Sequence, residues 1–126
     1  MLKNSKAFTT FSTKDIKITE KFYKDTLGLN VSENKMGLLE LELTNCSVLI
    51  YPKQDHKPAN FTVLNFYVQD IQKEVSSLTK KGVQFEKYDG EIKTDSFGIH
   101  KGELGPAIAW FKDPSGNILS LIQEEK

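Results

Sequence analysis

The sequence contains no arginine: its 17 basic residues are all lysines, and they balance 17 acidic residues to a formal net charge of zero. A chain without a basic excess has no general attraction for phosphate, and without arginine it cannot form the forked contact that recognises guanine. We therefore expect no nucleic-acid partner. The missing arginine also removes the usual bidentate clamp for a carboxylate or phosphate ligand.

Cysteine and long apolar runs are equally scarce. The single Cys46 excludes an internal disulfide, which fits a reducing compartment, so we expect a cytoplasmic location. No apolar run approaches the length of a membrane span, and residues 1–6 do not resemble a signal peptide, so we expect no membrane partner. With 126 residues, of which 38% are hydrophobic and 27% charged, the chain can bury the core of one globular domain.

The chain is organised as two similar halves. Each half begins with a strand rich in aromatic and β-branched residues, continues with a capped amphipathic helix that ends at a glycine, and goes on with three strands. The paired features are the strands Ala7–Thr13 and Phe61–Val68, the N-caps Asp15 and Asp70, and the helix-ending glycines Gly28 and Gly82. This order predicts one domain, 1–126, with a first βαβββ module at 6–52, a polar linker at 53–60 and a second module at 61–123.

Two features of the second half stand out. Its last two strands flank the turn Asp113-Pro114-Ser115-Gly116-Asn117, in which proline and glycine suit a tight hairpin loop. Before this hairpin, Val83–Phe85 predicts a strand, and the irregular stretch Glu86–Glu103 follows it. That stretch is a lid or binding loop, a flexible excursion or a partly extended edge strand.

Three segments together resemble one known family. They are Ser12-Thr13-Lys14-Asp15-Ile16, the F-Y-x-x-x-L-G-L motif of Phe22–Leu29, and the D-P-x-G-N motif within Phe111–Asn117. In this order and separation they are similar to the vicinal oxygen chelate superfamily of glyoxalases, bleomycin-resistance proteins and extradiol dioxygenases. The resemblance covers essentially the whole chain. It implies an α+β fold in which two βαβββ modules form a curved mixed sheet around a central cleft, and it implies a homodimer.

The resemblance also implies where a metal ion would be held. The superfamily's enzymes commonly bind a divalent metal through His, Gln or Glu on the first and last strands of each module. The corresponding positions here hold Phe8, Leu49, Val63 and Ser120. Phe, Val and Leu cannot coordinate a cation, and a neutral serine hydroxyl is a poor ligand. We therefore expect no metal and no other cofactor.

Strand alternation places further side chains on the same faces as these four positions. We predict a cleft that binds a small, partly apolar or aromatic molecule, because its mixture of apolar, aromatic and hydroxyl side chains is typical of small-molecule pockets. The predicted lining is Phe8, Thr10, Leu49, Tyr51, Val63, Asn65, Tyr67, Trp110 and Ser120, although the side of its strand on which Trp110 lies is ambiguous. His100, from the long loop, is a possible further contact.

Three functions remain open on these residues. The first is metal-independent ligand binding, as in the superfamily's antibiotic-binding resistance proteins. The second is a lyase or oxidoreductase that acts on a small carbonyl or aromatic substrate through a non-standard site, either a non-standard metal site or acid–base groups such as Tyr67 and His100. The third is a structural or regulatory protein whose groove is filled by its own side chains. His56 is predicted to be a solvated linker residue and Cys46 an unreactive thiol.

Overall fold

The computed structural model describes residues 1–125 and divides the chain into two compact units, with the boundary between Lys57 and Pro58. That boundary lies inside the linker predicted at 53–60. Each unit contains one four-stranded sheet and one α-helix. None of the helices within the described residues combines the length and the apolar character that a membrane crossing requires.

The first unit follows the order strand, helix, three strands. In its sheet the order is β1-β4-β3-β2, with β1 parallel to β4 and the other neighbours antiparallel. A π-helical turn, Phe22–Thr26, directly follows the α-helix. The elements are β1 (Thr9–Thr13), α1 (Ile16–Lys21), β2 (Asn30–Glu33), β3 (Leu39–Glu42) and β4 (Ser47–Pro52).

The second unit repeats this topology. Its sheet has the order β5-β8-β7-β6, again with its first and last strands parallel and the remaining neighbours antiparallel. The predicted α+β class and the two βαβββ modules are therefore confirmed. The elements are β5 (Thr62–Val68), α2 (Ile71–Lys80), β6 (Ile99–His100), β7 (Ile108–Lys112) and β8 (Ile118–Gln123).

Both helices begin at the aspartates that the sequence marks as N-caps. The side chain of Asp15 accepts hydrogen bonds from the backbone N–H groups of Lys17 and Ile18. That of Asp70 accepts from the N–H of Lys73. Each carboxylate satisfies donors that the first helical turn leaves without an internal partner, which explains why both helices start one residue later.

The first helix ends differently from the prediction. Its periodicity predicts one regular helix up to Leu27, but its last turn is π-helical, with the N–H of Leu27 donating to the carbonyl of Phe22 at 3.0 Å. Tyr23 is completely buried and its ring contacts those of Phe11 and Phe22, whereas Phe22 itself is only half-buried. Tyr23 is therefore the main aromatic anchor between this helix and its sheet.

In each module the helix covers one face of the sheet, and that face forms the core. Successive side chains of a strand point to opposite faces, so every second residue lies on this face. In the Leu-Glu-Leu-Glu run of β3 these are the two leucines. Burying each such leucine or isoleucine contributes about 1.5–3 kcal/mol. The buried apolar sheet residues are Leu39, Leu41, Val48 and Ile50 in the first module, and Leu64, Ile99, Ala109, Phe111, Leu119 and Leu121 in the second.

The stretch before the last hairpin, residues 83–103, contains little regular secondary structure. Phe85 forms only an isolated bridge to Phe111, and the edge strand of this sheet is the two-residue β6, Ile99–His100. The prediction of a strand at Val83–Phe85 is wrong, and within the stretch 86–103 only Ile99–His100 form a strand, at the edge of the sheet. Phe85 packs its ring on Phe111, which lies far along the chain, with the ring centroids 5.4 Å apart, and the chain then leaves the sheet.

Candidate functional site

The side of each sheet that its own helix does not cover is called here its helix-free face. On the first sheet this face carries Thr10 of β1, Leu49 and Tyr51 of β4, and Glu40 of β3. Thr10 pairs with Leu49, and Leu49 pairs with Glu40 on its other side. Ser12 pairs with Tyr51 in the same way. The predicted lining residues of the first module therefore share one face.

Phe8 lies one residue before β1 and is 65% exposed. It lines a cavity of ≈ 820 Å³ at the end of the first sheet, together with Leu49 and Glu40. The exposed Met36 and Cys46 lie on the same cavity. The structure thus brings together two of the positions that the resemblance associates with metal, Phe8 and Leu49, in a pocket whose polar lining comprises hydroxyls, amides, the carboxylate of Glu40 and the ammonium group of Lys6.

His56 is placed differently from its prediction as a solvated linker residue. It is half-buried, and its Nδ1 lies 2.6 Å from the hydroxyl oxygen of Ser12. The linker begins with a turn that returns it to β1: the N–H of Lys53 donates to the carbonyl of Thr13, and that of His56 donates to Lys53. No local sequence pattern predicts this contact, because the two partners are 44 residues apart.

The helix-free face of the second sheet carries two rows of side chains that run across its strands. One row is Asn65, Ser120 and Trp110, which are register partners on β5, β8 and β7. This settles the ambiguity about Trp110, which lies on the same face as Asn65. The other row is Tyr67, Ile122, Ile108 and His100. His100 therefore reaches this face through an edge strand instead of a loop.

The first row contains a hydrogen-bonded pair. The hydroxyl of Ser120 donates to Oδ1 of Asn65 at 2.5 Å, and Ser120 is 0% exposed. Asn65 is exposed, and within residues 1–125 its amide nitrogen has no hydrogen-bond partner. The pair therefore presents a fixed N–H donor on the helix-free face, since the bond to Ser120 uses the acceptor side of the amide.

Trp110 is the centre of an aromatic cluster on this face. Its ring centroid lies 5.6 Å from that of Tyr88 in an edge-to-face arrangement and 6.2 Å from that of His100. The Nδ1 of His100 is held 2.8 Å from the carbonyl oxygen of Lys93. Tyr67, on the second row, is 75% exposed. Sequence reasoning missed Tyr88, whose only signal was being an aromatic residue in the long irregular stretch.

The chain is similar to several known proteins. Residues 7–121 match the family model described as "Glyoxalase/Bleomycin resistance protein/Dioxygenase superfamily". The chain belongs to this superfamily. Among curated proteins, the uncharacterized protein YraH of Bacillus subtilis (strain 168) is 28% identical over 124 residues, which cover 86% of this chain and 90% of YraH.

Solved structures of the superfamily share the fold. One is lactoylglutathione lyase from Agrobacterium tumefaciens, with a TM-score of 0.70 and 17% identity over 94% of this chain and 93% of that protein. Another is TnmS3, an antibiotic binding protein from Streptomyces sp. CB03234, with a TM-score of 0.68 and 21% identity over 97% of this chain and 98% of TnmS3. At these identities the likeness concerns the fold alone.

The residues present do not fit the metal that the superfamily's enzymes commonly use. Phe8 and Leu49 offer no donor atom, and Val63 lies at a β-bulge between Thr62 and Leu64 with an aliphatic side chain. Ser120 uses its hydroxyl on Asn65. Nowhere in residues 1–125 do three His, Cys, Asp or Glu side chains gather in a way that could hold a metal ion. This donor set lacks the imidazole, thiolate and carboxylate groups that such ions need.

The polar side chains of the D-P-x-G-N motif, which resembles that of the superfamily, form hydrogen bonds within the turn that carries it. Oδ1 of the buried Asp113 accepts from the N–H groups of Ser115 and Asn117, both at 2.9 Å. Its Oδ2 accepts from the side-chain amide of Asn117, also at 2.9 Å. The carboxylate therefore organises the hairpin between β7 and β8 and so sets the register that places Trp110 beside Ser120.

Proposed function

We propose that this protein binds a small, partly aromatic molecule without a metal ion, and that the helix-free face of the second sheet supplies most of the recognition. The observation that carries the proposal is the row Asn65–Ser120–Trp110 beside the ring of Tyr88. It combines a flat aromatic surface with one fixed hydrogen-bond donor. Small-molecule sites commonly join an apolar surface to a few placed polar groups in this way.

The chemistry of the face specifies the kind of ligand. Trp110 and Tyr88 offer rings on which a planar apolar body can pack, a contact worth about 0.5–1.5 kcal/mol beyond its area. The amide nitrogen of Asn65 suits a carbonyl or ether oxygen of that ligand. Tyr67, whose large ring is 75% exposed, adds apolar surface on the neighbouring row. We expect an uncharged or weakly polar aromatic compound that carries an oxygen acceptor.

The residues predicted in the first module remain part of the proposal, as a weaker binding surface of their own. Thr10, Leu49 and Tyr51 share its helix-free face, and Phe8, which lies just before β1, lines one cavity with Leu49. That face offers hydroxyls and the carboxylates of Glu40 and Glu42 in place of an aromatic cluster.

The superfamily contains both binding proteins and enzymes, and the donor set favours binding. TnmS3 is described as an antibiotic binding protein, and the Agrobacterium tumefaciens protein as a lactoylglutathione lyase. In this chain the positions of the superfamily's metal ligands carry Phe8, Leu49, Val63 and Ser120, so metal-assisted chemistry of the lyase type lacks its ligands. Binding of a small molecule does not require them.

Acid–base chemistry by Tyr67 and His100, the alternative drawn from the sequence, receives little support. The two residues lie in the same row, but β5 and β6 are the opposite edge strands of the sheet. Neighbouring strands are spaced about 4.8 Å apart, so their backbones are separated by roughly 14 Å. Proton transfer to and from a single reacting centre needs both groups within hydrogen-bond reach of it, and at this separation the two side chains would have to reach toward each other across Ile122 and Ile108.

The proposal includes two expectations about the setting. We expect the protein to work in the cytoplasm, which suits its single exposed Cys46. We also expect a homodimer, as the family resemblance implies. Light scattering coupled to size-exclusion chromatography measures the mass directly, and a mass of one chain at working concentration contradicts the dimer.

The decisive experiment uses the only tryptophan of the chain as its reporter. A panel of neutral aromatic compounds that carry a carbonyl or ether oxygen is titrated into isotope-labelled protein, and the single indole N–H resonance of Trp110 is followed by NMR. We expect hits to shift this resonance and the amides around Asn65. Elemental analysis of the same sample should find less than stoichiometric metal. A panel that leaves Trp110 unmoved, or a metal at one per chain, overturns the proposal.

A further inference from the structure

A cavity of the second module lies on the opposite side of its sheet from the proposed ligand face. Its volume is ≈ 850 Å³, and it is formed between α2 and residues 83–99. Ile99 and Phe85, which line it, pair with Ala109 and Phe111 on the helix-covered side. Every ligand-contact residue predicted from the sequence lies outside its lining, so this groove is a separate feature that needs its own explanation.

The groove follows one stripe of α2. The helix residues that line it are Gln72, Val75, Ser76, Thr79 and Lys80. They recur at intervals of three and four residues, which places them on one face of a helix. From the first to the last of them the helix advances about 12 Å, since each residue adds about 1.5 Å. The groove is therefore an elongated channel that runs along the helix.

The floor of the groove is apolar and firmly packed. Val75, Val83 and Ile99 line it and are themselves buried, and Phe85 completes it. Its outer wall carries the ring of Phe97, which is 63% exposed. A large apolar ring left this open beside an apolar floor gives a ligand two surfaces to pack between.

The turn that carries Phe97 is held in place. Oδ1 of Asp95 accepts from the N–H groups of Phe97 and Ile99, each at 2.9 Å. Gly98 has a φ of +88°, and a Cβ built on it would lie 2.7 Å from Cβ of Phe85. Because only glycine tolerates both this backbone conformation and this contact, the turn packs directly on the floor. The wall of the groove is therefore preformed.

The charges around the groove have one sign. Lys80 and Lys87 line it, and its lining contains no aspartate or glutamate. Within residues 1–125 neither lysine takes part in an ion pair. An apolar channel with two unpaired ammonium groups and no acidic neighbour in its lining is complementary to an amphipathic anion.

We propose that this groove binds a medium-chain carboxylate, with its hydrocarbon chain along α2 between the apolar floor and Phe97 and its carboxylate near Lys80 and Lys87. The proposal is independent of the function proposed above, since the two sites lie on opposite sides of one sheet. The lysine ammonium groups act here as point charges, which suit a single carboxylate as well as they would a planar clamp.

Decanoate is the probe, because its extended chain is about as long as the groove, and decanol of the same chain length is its uncharged counterpart. Each is titrated below its micelle or solubility limit into labelled protein and followed by NMR. We expect decanoate to shift the amides of residues 72–80, 83–87 and 96–99 and to leave the Trp110 indole in place. Decanol should bind about tenfold more weakly, since it lacks the attraction to two ammonium groups.

Three variants separate charge from shape. The double substitution Lys80→Gln and Lys87→Gln should weaken decanoate binding about tenfold and leave decanol binding unchanged. Ser76→Trp, at an exposed helix position in the groove lining, should abolish binding of both. Lys73→Gln is the matched control: Lys73 lies on the same helix outside the groove, so decanoate should bind this variant as the parent does. Circular dichroism verifies that each variant is folded.

Three results overturn the proposal. In the first, decanol binds as tightly as decanoate, so that the lysines play no part. In the second, decanoate shifts Trp110 and Asn65 in place of the helix amides, so that it occupies the other face. In the third, the parent protein self-associates, and Ser76→Trp abolishes that association with no decanoate present, so that the groove is covered by a second copy.

Discussion

The two modules have the same topology but differ in what their helix-free faces carry. In both, the first and last strands are parallel and the helix-covered face is apolar, with Ile50 of β4 and Leu121 of β8 at equivalent places beside Phe11 and Phe66. The helix-free face of the first sheet is a mixture of hydroxyls, Leu49, Tyr51 and the carboxylates of Glu40 and Glu42. That of the second is an aromatic cluster around Trp110 with one amide donor.

This difference shows that the two faces of each sheet meet different requirements: the helix-covered face stabilises the fold, and the helix-free face is available for recognition. The helix-covered face must be apolar in both modules, because each helix needs a surface on which to bury its own apolar side. The helix-free face carries no such requirement from its own module, so its chemistry can differ between the two. We infer that the proposed ligand specificity resides on the helix-free face of the second sheet, because the aromatic cluster and the amide donor are found there and have no counterpart on the first sheet.

The largest effects on stability are expected at buried core positions that are equivalent in the two modules. Ile50→Ala and Leu121→Ala remove equivalent buried side chains, and each should lower the free energy of unfolding by about 2–5 kcal/mol. Urea denaturation measures both. If one substitution costs less than about 1 kcal/mol, its module does not depend on the shared core in the way that the common topology suggests.

The next effect tests the Asn65–Ser120 pair. Asn65→Leu leaves the buried hydroxyl of Ser120 without its acceptor, so it should lower the free energy of unfolding by about 1–3 kcal/mol. Asn65→Asp keeps an acceptor and removes the N–H donor, so it should largely spare stability while weakening binding of any aromatic hit. Chemical denaturation and the NMR titration give the two readouts.

A double variant sharpens this test. When Asn65→Leu is combined with Ser120→Ala, the unpaired hydroxyl is gone, and the loss should be smaller than the sum of the two single losses. Strict additivity would mean that the 2.5 Å hydrogen bond contributes nothing to stability, and the pair could then not be regarded as fixing the orientation of the amide.

The comparison of the two faces predicts unequal effects on ligand affinity. Trp110→Leu should weaken binding of an aromatic ligand by roughly tenfold, since it removes the central ring of the cluster. Tyr51→Leu, which removes the only aromatic ring on the strands of the first helix-free face, should weaken it by no more than about twofold. Equal losses would show that the first sheet contributes as much recognition as the second.

The smallest effects concern the two histidines, one in each compact unit. His56→Ala removes a half-buried side chain that is hydrogen-bonded to Ser12, and the expected loss of stability is about 0.5–1.5 kcal/mol. His100→Ala removes a bond to the carbonyl of Lys93, and we expect a similar or smaller loss. The ligand titration distinguishes them: His100 contacts Trp110, so its loss should weaken binding, whereas the loss of His56 should not.

Much of the fold could be predicted because its signals are local. The N-caps Asp15 and Asp70, the glycines after both helices and the period-two run of β3 each depend on residues close in sequence. The π-helical end of the first helix could not be predicted. Residue propensities do not distinguish a π-helical turn from a regular one, and the packing of Tyr23 on Phe11 involves another element of the fold. The strand wrongly predicted at Val83–Phe85 failed similarly, because Phe85 packs on Phe111 without joining a ladder.

The candidate site shows the same division. Alternation along single strands was enough to group Thr10 with Ser12, and Asn65 with Tyr67, on common faces. It could not show that Ser120 donates to Asn65, that Tyr88 packs on Trp110, or that His56 returns to Ser12, because these partners come from segments 22 to 55 residues apart.

By itself the sequence determined the two modules and their caps and turns, since each follows from residue identity and short-range spacing. The family resemblance added that four positions lack metal-binding side chains. Only the tertiary structure decided which side of its strand Trp110 occupies, which aromatic ring joins it, and that a lysine-rimmed groove forms behind the second sheet. Register between strands and the path of residues 83–99 depend on contacts summed over the whole module, and no short segment contains that information.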